Sequence, residues 1–206
     1  MSNLCQEITL PTKPIQHIDD DEGEIALCIL SAVNLGLIRD KDELEELCDL
    51  SVRALDEIID YQQYPVEAAR ISTQARRSLG IGYIGLAHYL AKHKVKYDDK
   101  QALKVVDEIT EAFQYYLLKA SNTLAEEKGP CEYFDKTKYA DGILPIDTYK
   151  KDLDEIIKRK LSYDWTTLRK NIRNNGLRHS TLSAQMPSES SSIVSNATNG
   201  VEPPRD

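Results

Sequence analysis

The sequence predicts a helix-rich α/β fold. Two long stretches, residues 41–61 and 101–127, carry apolar residues at three- and four-residue spacing, the mark of amphipathic helices. Extended segments sit mainly near the two ends, at residues 3–10 and from about Ser180 onward.

Taken in order, NLCQEITL over residues 3–10 reads as extended, and Pro11 and Pro14 then break the chain. The acidic run Asp19-Asp20-Asp21-Glu22 leads into an apolar segment, residues 25–37, expected to be a buried helix; acids suit a helix N-terminus because of its partial positive charge. In residues 41–61, Leu44, Leu47, Cys48, Leu55, Ile58 and Ile59 fall on one face. Pro65 starts a helical region expected to run, with interruptions, to about Lys94. In residues 101–127, Leu103, Val106, Ile109, Phe113, Tyr116, Leu117, Ala120 and Leu124 point inward, and Gly129-Pro130 ends the helix. Residues 131–146 are aromatic and loop-like. Two shorter helices come next, near 147–160 and 165–174. The remainder is rich in Ser, Thr, Asn, Gly and Pro.

A chain of 206 residues, 41% hydrophobic and 29% charged, can bury a core of its own. No apolar run approaches the roughly 20 residues that span a bilayer, and the N-terminus has no signal-peptide pattern, so a cytoplasmic protein without membrane contact is expected. The net charge of −8 argues against a general nucleic-acid partner, which needs clustered bases to neutralise phosphate. The four cysteines, Cys5, Cys28, Cys48 and Cys131, form no C-x-x-C pair, which excludes a zinc knuckle or a thioredoxin-type motif. Cys48 lies in the apolar stripe of its helix and is assigned to the core. His17, His88, His93 and His179 have no metal-ligand spacing, and no metal site is expected.

Gly80-Ile81-Gly82-Tyr83-Ile84-Gly85 matches the G-x-G-x-x-G of dinucleotide-binding folds. That motif requires an apolar strand before it, and Thr73-Gln74-Ala75-Arg76-Arg77-Ser78 does not read as one. These glycines are read as close-packing positions between helices. Asn196-Ala197-Thr198 is a glycosylation sequon that a cytoplasmic chain is never offered.

Two constellations carry chemistry. Asn3, Cys5 and Glu7 alternate, and in an extended segment residues two apart share a face, about 6.5–7 Å from one another. An amide, a thiol and a carboxylate then stand side by side; a surface strand with polar residues outward fits the tripeptide equally. Near the other end, Met186-Pro187-Ser188-Glu189-Ser190-Ser191-Ser192 places a proline that presets a first helical turn before a run of hydroxyls. The N–H groups of such a turn can hold phosphate without a lysine. A Ser-rich linker is the alternative, against which Ile193-Val194 and the turn residues over 196–200 suggest an ordered element.

Together, SNLCQEITLPTKP, GEIALCILSAVNLG and MPSESSSIVSNATNGVEPPR resemble the large catalytic subunit of class I ribonucleotide reductases, with RRSLGIG, EAFQYYLLKASN and GILPIDTYKKD similar between them. The resemblance covers the whole chain and about a quarter of that family's usual length. It implies that residues 1–206 are part of a ten-stranded α/β barrel. Residues 1–12 would be the finger-loop segment, 22–175 mainly helical, and 180–204 the substrate-diphosphate loop together with the segment after it. By the same resemblance Cys5 becomes the thiyl radical that abstracts the 3′ hydrogen of a ribonucleoside diphosphate. Glu7 is the acid–base carboxylate and Asn3 the amide that bonds the ribose. Asn3, Leu4, Cys5, Gln6 and Glu7 contact substrate, and Pro187, Ser188, Glu189, Ser190 and Ser191 hold its diphosphate. Cys28 matches one of two redox cysteines whose partner lies upstream in the family; only the resemblance promotes it over a buried apolar cysteine.

The implied partners are the remaining large-subunit pieces, a small radical-generating subunit that contains the metal, and thioredoxin or glutaredoxin. The chain itself is expected to bind no cofactor. Met1 directly before the finger-loop motif suggests a subunit made in separate pieces, or a fragment. A noncatalytic interaction piece and a related glycyl-radical enzyme are the competing readings; Glu7 and the diphosphate loop favour the reductase.

Overall fold

A computed structural model describes residue 2 and residues 5–158 and 160–204 of the chain. Two strands, β1 (Ile29–Asn34) and β2 (Leu79–Ile84), pair in parallel with Ile29 opposite Leu79 and Asn34 opposite Ile84. Residues 181–185 run along the other side of β2. The Leu79 and Ile81 N–H groups donate to the Thr181 and Leu182 carbonyls at 2.9 and 2.8 Å, and the Ala184 N–H donates back to Ile81. Parallel neighbours need a crossover, and helices supply it. Helices α1 (Lys41–Tyr61) and α2 (Glu67–Arg76) connect β1 to β2. Helices α3 (Leu86–Lys92), α4 (Lys100–Lys128), α5 (Leu153–Ile156) and α6 (Trp165–Asn175) lie between β2 and residues 181–185, and α7 (Glu189–Val194) comes after them. Repetition of strand, helix and parallel strand defines an α/β fold.

Two expected helices contain strands instead. Residues 25–37 hold β1, and the region from Pro65 to Lys94 is divided into α2, β2 and α3. A six-residue apolar run cannot be told from a buried helical segment by periodicity alone. Pairing decides it: every residue of β2 is buried, with β1 on one side and residues 181–185 on the other. Gly80 and Gly82 are also poor helix residues. At the end of β2, Gly85 adopts φ +74°, which turns the chain into α3.

The long helices follow their apolar stripes. Asp40 caps α1 by accepting from the Glu43 N–H at 2.9 Å. Leu44, Cys48, Val52, Leu55 and Ile59 are buried in one core with Ile109, Phe113, Leu117 and Leu124 of α4. Each such side chain contributes roughly 1.5–3 kcal/mol by leaving water. Ile58 is 43% exposed because its neighbour Ile59 takes the inward position, one residue being about 100° of rotation. Leu103 is half exposed and lines a surface hollow with Lys100, Lys104, Ile156, Ile157 and Lys158. Gly129 at φ +86°, with Pro130 directly after it, ends α4. The helix expected near 147–160 contracts to α5.

β1 and β2 present one face to this helical core, through Val33, Leu79, Ile81 and Tyr83. On the other face Gly80 lies under Leu30, Cys28 and Ala184, and Gly82 under Ala184 and Met186. The glycines are close-packing positions, as expected, but what they admit is strand and loop, not helices. A Cβ on Gly82 would stand 2.5 Å from the Ala184 carbonyl oxygen.

Candidate functional site

The N-terminal constellation is built on a turn. Ser2 bridges Thr9 in antiparallel fashion, residues 5–7 form the bend between them, and Gln6 takes φ +59°. The period-two argument for a single polar face therefore does not apply to Cys5 and Glu7. Both lie on the tip of this turn, with Cys5 exposed and Glu7 half-buried. Asn3 and Leu4 lie outside the described residues.

Past the tip, Ile8 and Leu10 are buried in a small cluster of their own with Ala26, Cys28 and Ala184. This ties the tip segment to the entry of β1 and to residues 181–185. Beside it lies a hollow of about 380 Å³ lined by Ile8, Leu10, Pro14, Ile25, Ala26 and Cys28 among others. Cys28 directly precedes β1 and is not in a helix. Burial pushes its thiol up to about 12, and the negative charge of Glu7 acts in the same direction, so the two side chains sense each other. Cys48 is buried in the helical core and Cys131 is buried just after α4, both outside this cluster. None of the four cysteines is in a disulfide within the chain.

The Ser-rich segment is ordered. Met186 is buried, Pro187 exposed, and α7 begins at Glu189. Glu189, Ser190 and Ser191 fill the first turn, whose N–H groups have no acceptor within a helix. Ser191 Oγ donates to the Ser188 carbonyl at 3.2 Å. Three contacts fix the segment at the carboxyl ends of the strands, and a fourth closes the loop on itself. The Gln185 side chain continues the ladder, donating to the Tyr83 carbonyl at 2.7 Å and accepting from its N–H at 3.4 Å. The Asn34 amide donates to the Ser195 carbonyl at 3.2 Å. The Gly85 N–H donates to the Thr198 carbonyl at 2.8 Å. The Ser188 N–H donates to Asn199 Oδ1 at 2.7 Å. Ligands of open α/β sheets and barrels bind at the carboxyl ends of parallel strands.

Sequence reasoning missed a buried ionic network. Asp56, His179 and Ser121 are wholly buried, and Arg77 nearly so. Arg77 donates to Asp56 Oδ1 at 2.6 Å and makes a fork to Asp60 at 2.8 Å. Asp56 Oδ1 is also 3.2 Å from His179 Nε2, and Ser121 Oγ is 2.9 Å from His179 Nδ1. Since a carboxylate only accepts, Nε2 carries the proton and Nδ1 accepts from Ser121. These residues come from α1, α4, the α2–β2 corner and the entry to residues 181–185. They are separated by up to 123 positions, so no spacing signals them. Asp56, His179 and Ser121 form its closed centre, and Asp60 stands half-exposed at its edge.

Among the described residues no three His, Cys, Asp or Glu side chains are placed to hold a metal, and no helix is long and apolar enough to cross a membrane.

Parallel strands joined by helices, with an ordered Ser-rich turn at their carboxyl ends and a cysteine-bearing segment packed through Ile8 and Leu10 against Ala184, define a piece of an α/β protein. Comparison with known families makes this specific: the family model described as "Ribonucleotide reductase, barrel domain" matches residues 1–206, and the chain belongs to that family. It is 65% identical over 204 residues to the ribonucleoside-diphosphate reductase subunit alpha of Haemophilus influenzae, covering 99% of this chain and 27% of that subunit. It is 61% identical, with the same coverage, to ribonucleoside-diphosphate reductase 1 subunit alpha of Escherichia coli. To the subunit alpha of Enterobacteria phage T4 it is 48% identical, covering 99% of this chain and 26% of that one. The chain thus spans about a quarter of the length of the curated relatives it matches.

Proposed function

We propose that this chain supplies the radical and diphosphate-binding part of a ribonucleoside-diphosphate reductase α subunit. Cys5, as a thiyl radical, takes the 3′ hydrogen of the substrate ribose and gives it back after the 2′ carbon is reduced, which regenerates the radical. Glu7 takes the 3′-hydroxyl proton while the 2′-hydroxyl leaves as water. Asn3 bonds the ribose through its amide, Leu4 and Gln6 belong with it to the substrate-contacting residues, and residues 187–191 hold the diphosphate. Cys28 and a second cysteine, from outside this chain, supply two electrons and two protons and close to a disulfide, which thioredoxin or glutaredoxin reopens in the cytoplasm. The radical comes from a metal-containing small subunit, and the rest of the α subunit completes the barrel.

The observation that carries this reading is the cluster of Ile8, Leu10, Ala26, Cys28 and Ala184. It joins three segments far apart in sequence: the Cys5 turn, the chain around Cys28, and the residues that lead to Pro187. The test is diphosphate reduction by a complete α subunit containing this sequence, mixed with its small subunit and a dithiol. Cys5→Ser is expected to abolish turnover, because a hydroxyl cannot carry the radical. Glu7→Gln keeps the shape and loses the base, lowering the rate roughly 10²–10⁴-fold. Cys28→Ser is expected to stop multiple turnover. Parent-level turnover in Cys5→Ser overturns the assignment.

A further inference from the structure

Residues 187–191 contain no lysine or arginine and do contain a carboxylate, Glu189, at the first position of α7. At that position a carboxylate is attracted to the same N–H groups that would receive phosphate, and it repels phosphate directly. Something must govern where it goes. Asn199, ten residues on, meets the loop with both ends of its side-chain amide. Its Oδ1 accepts from the Ser188 N–H at 2.7 Å, and its Nδ2 donates to Glu189 Oε1 at 3.2 Å. Asn199 is itself anchored. Its neighbour Thr198 accepts from the Gly85 N–H at the end of β2, and Asn196 and Gly200 take φ +49° and +52°, which shape the return of the chain.

We propose that Asn199 is the positioning residue of the diphosphate loop: its carbonyl holds the Ser188 N–H, and its NH₂ group draws the Glu189 carboxylate aside so that the first turn of α7 is left to the phosphates. Asparagine suits this task because one planar group offers an acceptor and a donor at once. Aspartate would keep the bond to Ser188 and set two carboxylates against each other. This deepens the reading of residues 187–191 as the diphosphate loop and rests on it.

The experiment measures equilibrium binding of cytidine diphosphate, and KM and kcat for its reduction, in the complete α subunit with its small subunit. Asn199→Asp is expected to weaken binding by about tenfold, the scale of one lost hydrogen bond to a charged group. The loss should fall on KM, with kcat at saturation close to the parent. The pair Asn199→Asp with Glu189→Gln restores a donor facing an acceptor and returns the net charge, so it should recover binding to within about threefold of the parent. Parent-like binding by Asn199→Asp, or a double variant as weak as the single, overturns the proposal. If Asn199→Asp does not fold, recovery of both fold and binding in the double variant supports it, and a folded double variant with weak binding overturns it. Ser191→Pro, which removes a first-turn N–H, separates the two readings. If it binds cytidine diphosphate as tightly as the parent, the diphosphate loop itself is misassigned. If it binds weakly while the Asn199 variants behave as the parent, only the role of Asn199 fails.

Discussion

His179 Nε2 lies 3.2 Å from Asp56 Oδ1, and neither residue touches solvent. Burial holds the His179 imidazole below its ordinary range, with Asp56 pulling the other way and losing. For Asp56 the balance is reversed. Burial alone would raise its pKa, but the bonds from His179 and Arg77 outweigh it and hold the carboxyl well below the usual carboxylate range. The native network is therefore a neutral imidazole donating to an ionised carboxylate that guanidinium groups neutralise.

Stability should fall in mild acid because of His179. Its folded pKa is depressed below the unfolded value of about 6.5, so in acid the unfolded chain takes up the proton first. The stabilisation is full above that value and is lost as pH drops towards the folded pKa, by at most about 1.4 kcal/mol per pH unit. Urea unfolding at pH 7.5 and 5.5 measures it. His179→Gln, which cannot titrate, should flatten the dependence; an unchanged slope would assign the effect elsewhere.

Arg77 is expected to be costly to remove. It caps the C-terminus of α2 at φ +49° and spans Asp56 and Asp60. Arg77→Ala leaves Asp56 buried beside less positive charge, a change that costs about 3–5 kcal/mol. A loss of less than about 1 kcal/mol in unfolding free energy by urea titration would mean that Arg178, 3.2 Å from Asp56, compensates.

Gly82→Ala should disturb the loop as well as the core. The new Cβ would meet the Ala184 carbonyl at 2.5 Å and the Met186 sulfur at 3.0 Å, and a backbone oxygen cannot swing away. Overpacking of this kind costs about 1–3 kcal/mol. Since Met186 directly precedes Pro187, diphosphate affinity should drop as well. Unaltered stability and affinity would show that residues 184–186 can retreat.

The four thiols should alkylate in a definite order. Cys5 is exposed on its turn. Burial pushes Cys28 up to about 12 and Cys131 up to about 11, and raises Cys48 as well. Thiolate is the reactive form. Brief iodoacetamide treatment of the native protein at pH 8, read by peptide mass, should label Cys5 first. Early labelling of Cys48 would contradict the packing of α1 against the helical core, and early labelling of Cys131 would contradict the burial of the chain just after α4.

The sequence by itself determined α1, α4 and α6, because amphipathic helices carry their pattern locally: Leu44, Cys48, Leu55 and Ile59 repeat at the period of the helix whatever they pack against. It also singled out the cysteine-bearing segment and the Ser-rich segment, through motifs that resemble a family. Tertiary structure decided the strands and the joining of the site. β1 and β2 are six residues each, too short for periodicity to separate strand from buried helix, and they are strands because each finds a parallel neighbour. The meeting of Glu7 with Cys28, of Gly82 with Met186, of Asn199 with Glu189, and of Asp56 with His179 and Arg77 depends on side chains distant in sequence or turned by a loop. Residue type and spacing do not encode such meetings, since only the folded chain sets which groups share a low-dielectric space and so how strongly they act on one another.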